Sequence, residues 1–81
     1  MERPRRSDMA EHWTLDPNIS FLNHGSFGAC PMAVIEEQRR WQDVLEKEPV
    51  AFYEDIAPDA LAKTRGELGI FLNCAADDIA L

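Results

Sequence analysis

Prolines at positions 31, 49 and 58 set the terms on which this chain can fold. Proline fixes φ and has no backbone N–H. It therefore suits the first turn of a helix and disrupts the interior of one. The residue before a proline is pushed out of the α region, so a helix that reaches it stops. These three prolines bound two segments with apolar residues at helical spacing. Val34, Trp41 and Leu45 recur on one side with Ile35 and Val44, and Glu36, Glu37, Arg39, Arg40, Asp43 and Glu46 fill the other. This pattern predicts an amphipathic helix over residues 31–47, with Pro31 as its first residue and Pro49 as its end. Leu61, Arg65, Leu68, Phe71 and Leu72 keep the same period. They predict a second helix over 58–72, opened by Pro58 and stopped at Asn73. Residues 50–57 are expected to make a single helical turn between them.

The flanks carry weaker signals. Residues 1–12 read as a flexible tail, and residues 13–81 as one continuous segment. The first six residues hold three arginines and one glutamate without apolar periodicity. A contact arm could look like this, but a frayed terminus is the expectation. Trp13 and Leu15 are the only sizeable anchors before the turn signal Asp16-Pro17-Asn18. Ile19-Ser20-Phe21-Leu22 alternates and predicts a short strand, and Ile79-Ala80-Leu81, after a polar turn at 75–78, predicts the start of a buried one. The segment is thus expected to be mostly α-helical, with two long amphipathic helices and two short strands.

That inventory leaves apolar stripes without enough facing surface to cover them. A chain of 81 residues buries only about 60–65% of its unfolded surface. The expectation is an N-terminal piece of a larger α/β protein.

Composition excludes several functions. The net charge of −7 removes the basic face that a nucleic-acid binder needs. No apolar run approaches the roughly 18 residues of a membrane span. No basic segment leads into an apolar one as in a secretory signal, so a cytoplasmic setting is expected. Two cysteines do not make a disulfide framework. The 46% hydrophobic content is too high for intrinsic disorder.

Chemistry concentrates in Asn23-His24-Gly25-Ser26-Phe27-Gly28. Its two glycines can take positive φ or admit a close neighbour. The loop opens onto a helix, as anion-binding loops do, but it lacks the G-K-[ST] ending of a P-loop and the third glycine of a dinucleotide fingerprint. A tight turn between strand and helix explains the glycines equally well. Its small hydrogen-bonding side chains, with a phenylalanine on each side, are what a site on a rigid scaffold uses. His12, His24, Cys30 and Cys74 are zinc-ligand types at non-zinc spacings, so no metal site is expected. Cys30 or Ser26 could pair with His24 as a nucleophile, but neither sits in a known signature. A packed, helix-flanking Cys30 and reduced, buried thiols are the expectation. Asp77 and Asp78 read as a solvated turn.

The run Trp13-Thr14-Leu15-Asp16-Pro17-Asn18-Ile19-Ser20-Phe21-Leu22-Asn23-His24-Gly25-Ser26-Phe27-Gly28-Ala29-Cys30-Pro31 closely resembles the N-terminal motif of class V aminotransferase-like enzymes, in particular the isopenicillin N epimerase-like group. The likeness continues in type to Leu81. It implies an α/β parent of fold type I that uses pyridoxal 5′-phosphate and acts on an amino acid or a compound derived from one. Epimerase, aminotransferase and carbon–sulfur lyase are the reactions it implies, with a homodimer as the usual assembly. The cofactor would stabilise a carbanion at the substrate α-carbon. The Schiff-base lysine, the cofactor-pairing aspartate and the phosphate loop of the group match no position here. Lys47 and Lys63 lie in helices outside that context, and no catalytic residue is assigned. The resemblance places Asn23, His24, Gly25 and Ser26 at the substrate. Gly25 and Asn23 would position its carboxylate, His24 would orient the loop or line the pocket, and Phe21 and Phe27 would pack the loop down. A helical interaction module is the alternative: a hairpin of the two helices with its apolar stripe on a partner protein. A small cysteine enzyme built on Cys30 and His24 is a remote third.

Overall fold

The residue before Pro49 breaks the first helix, and Pro49 itself starts the next. In the computed structural model, which describes residues 5–81, helix α1 spans Met32–Lys47. Glu48 then leaves the α region (φ −156°, ψ 86°), as a following proline requires. The Glu48 carbonyl accepts the Phe52 N–H at 2.9 Å, and Pro49 opens the short helix α2 (Pro49–Ala51) in the position where its missing N–H costs nothing. Pro31 does not take that role. Its carbonyl accepts the N–H groups of Val34 and Ile35 at 3.1 and 3.2 Å, so it stands as the cap of α1 rather than its first residue.

Pro58 stands in the first turn of the second long helix, as expected, but that helix is not separate from what precedes it. Instead of opening a separate helix, it lies in a continuous helical run. After α2 the backbone widens into a π-helical turn, Phe52–Ile56, and continues as α3 (Ala57–Leu72). The Ala57 N–H reaches back to the Phe52 carbonyl, five residues away. A proline inside an α-helix clashes with the carbonyl four residues before it. A widened turn immediately ahead shifts that carbonyl, which explains how the helix passes through Pro58.

The two predicted strands do not form. Among the described residues the structure is helical with no strand. The turn at Asp16-Pro17-Asn18 is present: Asp16 Oδ1 accepts the Asn18 N–H at 2.8 Å and the Asp16 carbonyl accepts the Ile19 N–H at 3.2 Å. Ile79 has extended dihedrals (φ −108°, ψ 123°). Alternation and dihedrals supply the shape of a strand, but a ladder also needs an adjacent backbone, and neither 19–22 nor 79–81 has one among the described residues. Within the segment read as a tail, Asp8–His12 forms a 3₁₀ turn, and the Ser7 hydroxyl accepts the Met9 N–H at 3.2 Å. Residues 1–4 of that tail, and most of the basic arm, lie outside the described residues.

The chain divides into two units, Met1–Trp41 and Gln42–Leu81, with α1 running across the division. In the first, Trp13 and Leu15 are half-buried, as expected of anchors, and so is Ile35 on α1. In the second, α3 packs on the π turn before it and on a 3₁₀ turn, Ala76–Asp78, after it. Gly69 is the only buried residue among those described, and no hydrophobic side chain among them is buried. Leu61, Phe71 and Leu72 of the predicted stripe are exposed, Phe71 at 84%.

On the outer side of α1, Arg40 grips both carboxylate oxygens of Glu37, with Nη2 to Oε1 at 2.6 Å, and its guanidinium lies 4.5 Å from the Trp41 ring centroid. The hydrogen bond from Arg40 holds the Glu37 carboxyl below its ordinary pKa. This support is therefore present above the usual carboxylate range and is lost as pH falls through the lowered value.

The end of α3 is the most tightly specified point. Asn73 takes the left-handed conformation (φ 57°, ψ 49°), its N–H reaches the Ile70 carbonyl at 3.4 Å, and the Cys74 N–H reaches the Gly69 carbonyl at 3.0 Å. This is the paired bonding of a Schellman ending. A Cβ at Gly69 would lie 2.8 Å from the Cys74 carbonyl oxygen, closer than such atoms approach. Asn73→Val should destabilise this ending by roughly 1–2 kcal/mol, because a β-branched residue resists the left-handed region. Asn73→Gly should not. Far-UV circular dichroism of the two variants should show loss of helix in the first only, and Gly69→Ala should behave like the first.

Candidate functional site

The loop between Leu22 and α1 is built by three local contacts. The Ser26 N–H donates to the Asn23 carbonyl at 3.3 Å and closes a turn over residues 23–26. Further on, the Ala29 N–H donates to His24 Nδ1, also at 3.3 Å, so the imidazole ties the far end of the loop to its start. The Phe21 ring meets the His24 ring edge to face, with centroids 4.6 Å apart and planes at 81°. The chain then reaches Pro31, whose carbonyl caps α1.

The two glycines divide their roles. Neither takes a positive φ, so the conformational freedom that their type suggests is not what the loop uses. At Gly28 the reason is close approach: a Cβ there would sit 3.0 Å from the His24 carbonyl oxygen. Around Gly25 nothing lies within 4 Å of a Cβ position. That open space lets another molecule come up to the backbone.

Asn23, His24, Gly25 and Ser26 are all exposed and lie within one turn. The Asn23 amide, the Ser26 hydroxyl and the Gly25 N–H make no hydrogen bond within the described residues. Three uncharged donors thus face outward from a turn whose base is already tied. Such a set suits an anionic oxygen that accepts hydrogen bonds, a carboxylate for example. The packing assigned to the phenylalanines holds for one of them: Phe21 rests on His24, while Phe27 is 86% exposed and Leu22 90%. The Ala29–His24 bond had no sequence signal, since a histidine five residues before an alanine predicts nothing by itself.

The nucleophile pairings are not formed. His24 Nδ1 is occupied by the Ala29 N–H rather than by Ser26 or Cys30. Both cysteines are free and exposed, not buried, because no packed interior is available to receive them. Among the described residues no three His, Cys, Asp or Glu side chains come together as metal ligands. No helix among them is long and apolar enough to cross a membrane. An open cleft of about 490 Å³ lies elsewhere in the first unit, between the 3₁₀ turn and the start of α1, lined chiefly by Met9, His12, Trp13, Pro31 and Met32. It is mainly apolar and separate from the loop residues.

No family model and no solved structure matches the chain. Curated plant proteins are similar to it, among them these three. It is 32% identical to the probable chloroplastic L-cysteine desulfhydrase of Arabidopsis thaliana over 72 residues, 89% of this chain and 14% of that protein. It is 36% identical to the L-cysteine desulfhydrase of the same plant over 73 residues, 90% of this chain and 15% of that one. With the putative L-cysteine desulfhydrase 2 of Oryza sativa subsp. japonica it shares 37% identity over 60 residues, 74% of this chain and 12% of the relative. The chain therefore spans only 12–15% of the length of these relatives. A 72-residue match within 81 residues necessarily takes in the Asn23–Gly28 loop.

The glycine geometry makes a direct prediction. Gly25→Ala should leave the Ala29 amide resonance in place in a proton–nitrogen NMR spectrum. Gly28→Ala should move it, because the added methyl must displace the His24 carbonyl. Equal shifts in both variants would contradict the close approach described at Gly28.

Proposed function

We propose that this chain supplies the substrate-side loop of a pyridoxal-phosphate-dependent carbon–sulfur lyase that acts on an amino acid of the cysteine type. The observation that carries this reading is the likeness to several L-cysteine desulfhydrases across a stretch that includes the loop. It favours the lyase over the epimerase and aminotransferase that the motif also allows. The finer parts of the reading follow the motif: a class V, epimerase-like lineage, an α/β parent of fold type I, a homodimer and a cytoplasmic setting. The name of one relative, a chloroplastic protein, points to a second setting.

The residues present do not themselves fit the cofactor. Lys47 ends α1 and Lys63 stands within α3; both are exposed, and neither adjoins the loop in sequence. The cofactor, when bound, supplies an electron sink for charge developing at the substrate α-carbon. This chain's contribution is binding and orientation. The Asn23 amide and the Gly25 N–H would hold the substrate carboxylate, Ser26 would offer a third donor, and His24 would fix the turn that presents them. Holding the carboxylate fixes the direction of the remaining α-carbon bonds, which decides the bond that reacts.

The exposed apolar residues also suit the alternative, a helical module that binds a partner. A self-contained module needs an interior of its own, and no hydrophobic side chain is buried among the described residues. The lyase reading accounts for the polar loop as well, and we prefer it.

In the intact enzyme carrying this segment, Asn23→Ala should lower kcat/KM for sulfide release from L-cysteine by about tenfold or more, the cost of removing a hydrogen bond to a charged group. The loss should fall mainly on KM. Wild-type kinetics in this variant would sink the assignment. The 81-residue chain alone should give no stoichiometric, saturable absorbance change with pyridoxal phosphate. Such a change would place the cofactor site within this segment and overturn the reading.

A further inference from the structure

We infer that His24 is the positioning residue of the loop, acting through one defined tautomer: Nδ1 is held as an acceptor by the Ala29 N–H, which leaves Nε2–H as an outward donor. The inference deepens the substrate-side reading and rests on it for the identity of the ligand, a carboxylate. The tie itself is independent of that reading.

A backbone N–H can only donate, so the ring nitrogen that receives it must carry a lone pair. The Ala29 N–H lies 3.3 Å from Nδ1. In the neutral ring the single proton then resides on Nε2. Edge-on contact with Phe21 limits rotation of the ring about its axis. The backbone returns close to this side chain at Gly28, where a Cβ would lie 3.0 Å from the His24 carbonyl oxygen. Ring nitrogen and ring are thus held by two different neighbours, Ala29 and Phe21. Nε2 makes no hydrogen bond within the described residues, and the ring is exposed.

The consequence is a division of labour within one side chain. Nδ1 holds the turn that presents Asn23 and Gly25. Nε2–H adds a fourth donor beside the three already facing outward. No charged side chain forms an ion pair or hydrogen bond with the ring among the described residues. Nε2–H is a donor matched to a ligand that brings a negative charge.

Two conservative variants separate the functions of the two nitrogens. In His24→Asn the amide oxygen can occupy the place of Nδ1 and still accept from Ala29, while the Nε2 donor is lost. In His24→Gln the amide nitrogen can reach the place of Nε2, while the acceptor is lost. The first measurement is hydrogen exchange of the Ala29 amide in the isotope-labelled chain. Exchange should be slow in wild type and His24→Asn and about fivefold faster in His24→Gln, the effect of one net hydrogen bond. The second is a long-range proton–nitrogen correlation of the imidazole rings at a pH where both are neutral. His24 should show protonation on Nε2 alone. Equal Ala29 exchange in all three proteins, or a tautomer mixture at His24, would overturn the inference. In the intact enzyme, both variants should raise KM for L-cysteine, His24→Asn through the missing donor and His24→Gln through the loosened turn. If the exchange results hold and KM for L-cysteine does not move in the His24 variants while Asn23→Ala still raises it, the tie stands and the donor role of Nε2–H alone is overturned; if Asn23→Ala leaves KM unmoved as well, it is the substrate-side reading that fails.

Discussion

The carbonyls of Pro31, Glu48, Gly69 and Ile70 each accept an N–H at a helix end, and the rest of the structure hangs on those local bonds. With no hydrophobic side chain buried among the described residues, the burial of apolar surface that usually drives folding contributes little within this chain. What remains is the pairing of backbone donors and acceptors, each costly to leave unpaired away from water. Proline alters that pairing by subtraction. At 49 it removes an N–H that would have had no partner. At 58 it stands in the first turn of α3, directly after the π turn.

This explains which parts of the fold are legible in the sequence. Pro49 and Asn73 act through effects confined to a few residues, steric exclusion before proline and tolerance of the left-handed region, and both end helices where expected. The amphipathic periods of α1 and α3 are legible for the same reason. Pro58 lies in the first turn of α3 as expected, but the helical run that leads into it is not legible, because the rule that places proline in a first turn says nothing about a π turn upstream. Ile19–Leu22 and Ile79–Leu81 depart from expectation because a strand is a statement about two backbones, and alternation describes only one of them.

The site follows the same division. Residue types mark Asn23–Gly28 as a polar turn flanked by aromatics, and the structure gathers the four candidate residues into that turn. Composition cannot say which glycine is constrained. Gly28 is crowded by the His24 carbonyl while Gly25 is open, and that difference appears only once the chain has folded back on itself. Nor can it say what His24 does. Chemically the residue could be ligand, base or donor, and only the folded chain shows that its Nδ1 is occupied by the Ala29 N–H.

The loop and its apolar neighbours bear on each other. A hydrogen bond to a carboxylate in open water is nearly offset by the water it displaces, and gains strength when the surroundings are drier. Leu22 and Phe27 flank the donors at 90% and 86% exposure. Covering these two side chains would gain from their burial and lower the dielectric around Asn23, Gly25 and His24 in the same step. The apolar exposure that deprives the chain of its own interior is therefore also what would strengthen its polar loop. On the proposed reading, partner surface and substrate grip would be one requirement, because the cover that removes Phe27 from water would also strengthen the hydrogen bonds that Asn23, Gly25, Ser26 and His24 offer a charged ligand.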